Sequence, residues 1–417
     1  DKNVTAEFRA IAKFNVTVNV NGAGSVSLSP PGGAYFTGTV VTLVATPAAG
    51  NVFSGYSGAF KGWKTIETLT VNGNKVLTAN FSPQPVPRFA NGIWTSAAEI
   101  SKLPAAGVLW NNLKAGADRP IGKPNLADLE DSVNVAILAK ALVYARTGNE
   151  TYRQQVINAC MQAIGTEGTE TLSLGRELLA YVLAADLVKL PATEDATFRA
   201  WLRTLLTQNI GTQTLRSSNE SRPNNWGLHC GATRAAIARY LGDATELERT
   251  ARVFKGWLGD RATYADFSFN TEDLSWHADP NAPVGVNPAG ATIQGHSVDG
   301  VLPDDQRRAG PPPQQNYVYG ALQAALMQAI ILYRAGYAVW SWQDQALLRA
   351  MKWLYQEGNY PAQGDDRWLP HIVNHFYGTS FPAPLPTSPG KNAGWTDWLY
   401  GSKYALTKAD ANGDIEM

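Results

Sequence analysis

The spacing of hydrophobic positions along this chain changes near residue 85. Between residues 14 and 81, β-branched and aromatic residues alternate with polar ones in short runs, FNVTVNVN, SVSLS, VVTLVATP and KVLTANF, separated by Asn-Gly, Pro-Gly and Gly-rich turns. A period of two with that punctuation predicts strands burying one face, so residues 1–83 read as a small, sandwich-like all-β module. Its last run, KVLTANF at residues 75–81, is echoed by KNVTAEF at residues 2–8. Residues 1–13 therefore read as the end of a preceding repeat. The proline-rich stretch that follows predicts a semi-rigid linker over residues 84–90.

From residue 91 onward the period becomes helical. VNVAILAKALVYART, TYRQQVINACMQAIG, SLGRELLAYVLAADLV, ATRAAIARYLGD, GALQAALMQAIILYRAGY and DQALLRAMKWLYQEG carry apolar residues at i, i+3, i+4 and i+7, the stripe of a helix that packs on a core. Short Gly, Asn or Pro turns join most of them, so neighbouring helices should pack as antiparallel hairpins. Repeated hairpins over residues 91–417 predict a mainly α fold, an α/α toroid in the form of an incomplete barrel. No fixed-period motif supports a superhelical solenoid instead.

Composition narrows the chemistry. The chain has 417 residues, 44% hydrophobic and 17% charged, enough for a large core and more than one domain. Formal net charge is zero, so no global basic field recruits nucleic acid or an anionic membrane. Affinity for a polyanion must come from a local group of residues. The thirteen tryptophans and sixteen tyrosines supply flat amphipathic faces suited to sugar stacking and equally to cores. Cys160 and Cys230 are the only cysteines, which excludes a disulfide scaffold and leaves one bridge or two buried thiols open. No apolar run approaches the length of a membrane span, and a monomer is expected.

Two polar loops, each followed by a helical pattern, hold the candidate chemistry. RPNNWGLHC presents Asn224, Asn225 and Trp226 before a helix expected to start near His229. Either asparagine can cap that helix or offer an amide to a sugar carboxylate, and Trp226 can stack on a pyranose or pack in the core. DGVLPDDQRRAGPPPQQNYVYGAL places Arg307 and Arg308 ahead of Tyr317 and Tyr319. Guanidinium is the side chain that best clamps a carboxylate, although Asp304 and Asp305 can hold both arginines. The tyrosines are two residues apart, so on a helix they point about 200° from one another and at most one is catalytic. His277, beside Trp276 in EDLSWHADP, suits a general base or a buried hydrogen-bonded position. His371 and His375 have i, i+4 spacing but no third ligand nearby, so no metal and no other cofactor is expected.

These residues carry a family resemblance. The helical region from about residue 89 to residue 404 resembles the alginate-lyase-like polysaccharide lyases of the α/α-toroid class, which cleave alginate or glucuronan. ALVYARTGNETYRQQVINAC is similar to their helix-hairpin pattern, NNWG to their Asn-rich catalytic loop, and DGVLPDDQRR with Tyr-x-x-x-Ala-Leu to their arginine and tyrosine segment. The β-region resembles bacterial β-repeat modules of secreted and surface proteins, which implies a secreted, cell-surface or periplasmic enzyme.

The resemblance implies β-elimination on an anionic polysaccharide. Asn225 is then the carboxylate neutraliser, Arg308 a second clamp, Tyr317 the proton donor and base, and His277 the candidate histidine. Asn224, Trp226, Arg307, Trp276, His371 and Tyr319 are the candidate substrate contacts. Two departures stand out. Trp226 occupies the place where many relatives carry a histidine, so that histidine must come from elsewhere, with His277, His229 and His371 available. The insert GPPPQQ at residues 310–315 lengthens the arginine-to-tyrosine gap and leaves Arg307 against Arg308 open. The rival reading is a glycoside hydrolase of similar shape, which needs two carboxyl groups flanking the bond; Glu272 with Asp273, Asp304 with Asp305, and Asp365 with Asp366 are the available pairs, and adjacent acids point apart. A non-catalytic polysaccharide-binding protein would keep the aromatic faces without converging Asn, Arg and Tyr.

Overall fold

The computed structural model describes residues 10–87, 91–308, 316–386, 390–391 and 394–401. The echo at residues 2–8, the end of the linker at 88–90 and the insert at 310–315 lie outside the described residues. The chain divides into two compact units, Asp1–Pro85 and Val86–Met417.

In the first unit the alternating runs form the expected strands: β1 (Lys13–Asn21), β2 (Gly24–Ser29), β3 (Ala34–Phe36), β4 (Val40–Pro47), β5 (Asn51–Gly58), β6 (Ile66–Thr70) and β7 (Lys75–Pro83). They make a four-stranded sheet in the order β3-β1-β7-β5 and a three-stranded sheet in the order β2-β4-β6. The β1–β7 pair is parallel, and the other pairs are antiparallel. Alternation along β4 and β7 sends Val41, Leu43, Leu77, Ala79 and Phe81 into a core shared with Val16, Phe53 and Tyr56. One buried face per strand is what a period of two produces.

The second unit is mainly helical, with α1 (Ala97–Ser101), α2 (Val108–Asp118), α3 (Val133–Thr147), α4 (Glu150–Ala163), α5 (Thr171–Val188), α6 (Ala192–Leu205), α7 (Leu215–Ser221), α8 (Asn225–Leu241) and α9 (Ala244–Trp257) in sequence. A long irregular stretch leads to the four-residue α10 (Pro303–Gln306), then α11 (Asn316–Arg334), α12 (Trp342–Gln356), α13 (Leu369–Tyr377) and α14 (Thr396–Tyr400). Helix α8 is central, with α5 and α11 as its principal neighbours. Small residues along α8, among them Gly231, Ala232, Ala235 and Ala236, are fully or nearly fully buried and admit this close packing. Gly175 of α5 meets backbone directly. A Cβ there would lie 2.8 Å from the Cys230 backbone nitrogen, so only glycine lets α5 rest on the backbone of α8. Cys160 and Cys230 are two free, buried thiols, which settles the alternatives open in the sequence.

Candidate active site

Helix α8 begins at Asn225, one turn earlier than the sequence pattern suggests. Asn224 is its N-cap, with extended backbone and a side-chain oxygen accepting from the Trp226 N–H at 3.2 Å. The amide of Asn224 donates to Asp304 at 2.9 Å, and the Asn225 backbone N–H donates to Asp305 at 3.2 Å. The short α10 is thus pinned across the start of α8, bringing together two loops some eighty residues apart. Asp305 is 1% exposed, with one oxygen lacking a hydrogen bond. Burial pushes its carboxyl up to about 8, against the opposing pull of the Asn225 N–H and, more weakly, Arg308. Gly227 completes the turn, since a Cβ there would collide with the Arg222 carbonyl oxygen. Gly227→Ala is expected to lower stability by about 1–3 kcal/mol, toward the upper end because the obstacle is backbone, and thermal unfolding measures it.

The pinned α10 also places the two arginines differently. Arg307 Nε donates to Asp304 at 3.1 Å and turns away from the cavity. Arg308 Nη1 donates to the side-chain oxygen of Asn225 at 3.2 Å, and its guanidinium carbon lies 3.7 Å from the centre of the Tyr317 ring. Asn225, Arg308 and Tyr317 therefore converge, and all three line a cavity of about 400 Å³ that Trp226 and His229 also border. Neither the Asn225 Nδ2 group nor the Tyr317 hydroxyl makes a hydrogen bond within the described residues, so both remain available to a ligand.

Several expected residues lie elsewhere. Tyr319, on the opposite side of α11 from Tyr317, is fully buried and donates to the Tyr360 carbonyl at 2.6 Å. His277 is 3% exposed, packs edge-on against Phe269 and is absent from the cavity wall. Burial is the chief influence holding its imidazole below the ordinary value. Trp276 meets Trp353 edge-on, and His371 is buried against Gly401; neither borders the cavity. Asn224 is occupied as a cap. The histidine the cavity does hold is His229, one turn along α8 from Asn225. Burial, reinforced by the charges of Arg176 and Lys391, pushes its imidazole down to about 3. Held this low, it carries no resident charge near neutral pH and is a weak base, and its Nδ1, without a hydrogen-bond partner, can accept a hydrogen bond.

The rest of the wall was not singled out for this role in the sequence. Gln323 donates to Asp366 at 2.9 Å and to Asp365 at 3.3 Å, while Lys391 lies 4.0 Å from Asp365. Burial and the neighbouring Asp365 push the Asp366 carboxyl up to about 7, against the Gln323 hydrogen bond and Lys391. These groups come from α11, the loop before α13 and the segment before α14, and no local pattern links them. Arg176 had a legible signal, a cation inside the apolar run of α5. A larger groove of about 590 Å³ lies beside α1, α4 and α5, but its cations are engaged: Arg153 donates to two carbonyls, and Lys189 pairs with Asp186.

Comparison with protein families places an alginate lyase domain at residues 123–266 and a divergent InlB B-repeat domain at residues 14–85. The alginate lyase match spans α3 to α9, including Arg176, Asn225 and His229, and makes the chain a polysaccharide lyase. A search of curated proteins returned no match. No helix among the described residues is long and apolar enough to cross a membrane.

Proposed function

We propose that this polysaccharide lyase cleaves a uronate polymer, polymannuronate or glucuronan, by β-elimination in the cavity at the start of α8. The observation that carries the reading is the Arg308 guanidinium, bonded to Asn225 and stacked on Tyr317. The C5 proton of a uronate is too weakly acidic to leave until the adjoining carboxylate is neutralised. Arg308 and the free Nδ2 group of Asn225 are fixed donors for that carboxylate and for the enolate-like charge that develops on it. Tyr317 Oη, as the phenolate, takes the C5 proton and returns it to O4 as the C4–O4 bond breaks and C4=C5 forms. One tyrosine suffices because proton and leaving oxygen share a face in β-D-mannuronate and D-glucuronate. Neutral His229 hydrogen-bonds the same sugar, and Trp226 offers it a stacking face.

In this reading residues 91–417 are the catalytic domain, an incomplete α/α toroid of helical hairpins. Residues 1–83 are a repeat module joined to it by residues 84–90, and the enzyme works outside the cell as a monomer. Incubation with polymannuronate or glucuronan, without added metal, is expected to yield the ultraviolet absorbance of an unsaturated uronate. New reducing ends without that absorbance mean hydrolysis and overturn the mechanism.

A pH dependence follows from Asp366. With its carboxyl pushed up to about 7, it is largely neutral below that pH and adds a negative charge to the cavity above it. An anionic polymer is then repelled, and KM should rise roughly 3- to 10-fold between pH 6 and 8, the size of a ~1 kcal/mol repulsion in a partly wet cavity. Asp366→Asn is expected to flatten that rise. A steep rise surviving in the variant assigns the effect to another group.

A further inference from the structure

Arg176 is a cavity residue that the elimination chemistry leaves unused. It is 9% exposed, and its Nε and Nη2 atoms are buried without a hydrogen bond. Its salt-bridge partner among the described residues is Glu130, at 3.8 Å and therefore beyond hydrogen-bond reach, with a side chain 74% exposed, and its charge also acts on Glu177. Adjacent Glu177 makes no hydrogen bond to it: consecutive helix positions face about 100° apart, both Glu177 carboxyl oxygens lack a hydrogen-bond partner, and burial pushes that carboxyl up to about 10 against the opposing charge of Arg176. A buried guanidinium whose Nε and Nη2 lack hydrogen bonds is costly, and here it borders an open cavity.

Its position is set by the tight packing at Gly175. With α5 resting on the α8 backbone at His229 and Cys230, Arg176 comes close enough to His229 for its charge to depress that imidazole. His229 lies four residues along α8 from Asn225, about 6 Å along the helix axis. The cavity thus has two cationic poles: Arg308 at the Asn225 end, and Arg176 one helical turn further on. Lys391 lies with the second pole, 3.7 Å from the same exposed Glu130. That glutamate is a loosely held counter-charge, readily displaced by an entering anion.

We propose that Arg176 is the carboxylate receptor of a second subsite, binding the uronate next to the one whose C5 proton is removed. The enzyme then selects polymers with consecutive uronates over those in which uronate alternates with a neutral sugar. This rests on the proposed elimination at Tyr317 only for which sugar is called the neighbour; anion binding at Arg176 is separable from turnover.

The test uses the full chain carrying Tyr317→Phe, so that ligands survive, and calorimetric titration with two tetrasaccharides. One is a homouronate, and the other alternates uronate with N-acetylhexosamine. The homouronate is expected to bind about 10- to 100-fold more tightly, the range for a charge-assisted pair. Adding Arg176→Gln should remove most of that preference and leave the alternating ligand unchanged, and Arg176→Lys should restore part of it. Because the Nε and Nη2 groups being removed make no hydrogen bond and the Glu130 partner is largely exposed, Arg176→Gln should not lower Tm. Equal weakening of both ligands, unchanged binding of both, or a lowered Tm with non-selective loss overturns the subsite. If the native chain yields no unsaturated product while homouronate binding still depends on Arg176, the elimination reading fails and the anion subsite stands.

Discussion

Tyr317→Phe is expected to lower kcat at least about 10³-fold on a uronate polymer while leaving Kd for that polymer within about threefold. A positioned proton-transfer group contributes about 10² to 10⁴ in rate, and in the proposed cycle the same oxygen serves both transfers. The substitution is clean because the phenyl ring keeps its place beneath the Arg308 guanidinium, 3.7 Å from the ring centre in the native chain. The hydroxyl makes no hydrogen bond within the described residues, so its loss leaves no buried partner behind, and Tm should be unchanged. Steady-state appearance of the unsaturated product, paired with calorimetric binding, measures both quantities. Undiminished turnover in the phenylalanine variant would remove Tyr317 from the mechanism.

Asn225→Ala should cost about 10²- to 10³-fold in kcat, the range for deleting one preorganised donor to a developing oxyanion, with KM changed far less. The split matters because in the proposed mechanism the uronate carboxylate is already charged when it binds, whereas the charge assigned to Asn225 and Arg308 grows on the way to the enolate. An interaction strengthening in the transition state appears in kcat. The substitution also removes the acceptor that holds Arg308 Nη1 at 3.2 Å, so the guanidinium is freed to turn toward Asp305, 3.9 Å away. Helix α8 should persist, since its cap is Asn224 and not Asn225. A loss confined to KM would make Asn225 a ground-state binding residue only.

The periodicities carried the two fold classes without help from tertiary structure. Alternation places Leu43 and Leu77 inside the β-unit because successive residues of a strand face opposite sides. The 100° step of a helix separates Tyr317 from Tyr319, and the structure has Tyr319 buried and bonded to Tyr360. The early start of α8 was within reach of local reasoning too: Asn224 is a favoured cap, and a glycine two residues into the helix at Gly227 marks a close backbone approach.

The different placement of Arg307 and Arg308 was not legible locally. It follows from which carboxylate of α10 meets which asparagine at the start of α8, a contact between segments eighty residues apart. The same holds for the histidine: His277 has the more suggestive neighbours in sequence, but it is packed against Phe269, while His229, on what reads as an ordinary helical face, borders the cavity.

What the sequence determined by itself was therefore the identity of the elements, the β-module and the helical unit, and the residue types that could perform an elimination. Those properties follow from side-chain period and chemistry within a few turns of chain. Only the tertiary structure decided which of the candidates share one space. Burial, partner occupancy and the close approach of α5, α10 and α11 to α8 depend on residues far apart in sequence, and these put Arg308 rather than Arg307, His229 rather than His277, and the loosely paired Arg176 on the wall of one cavity.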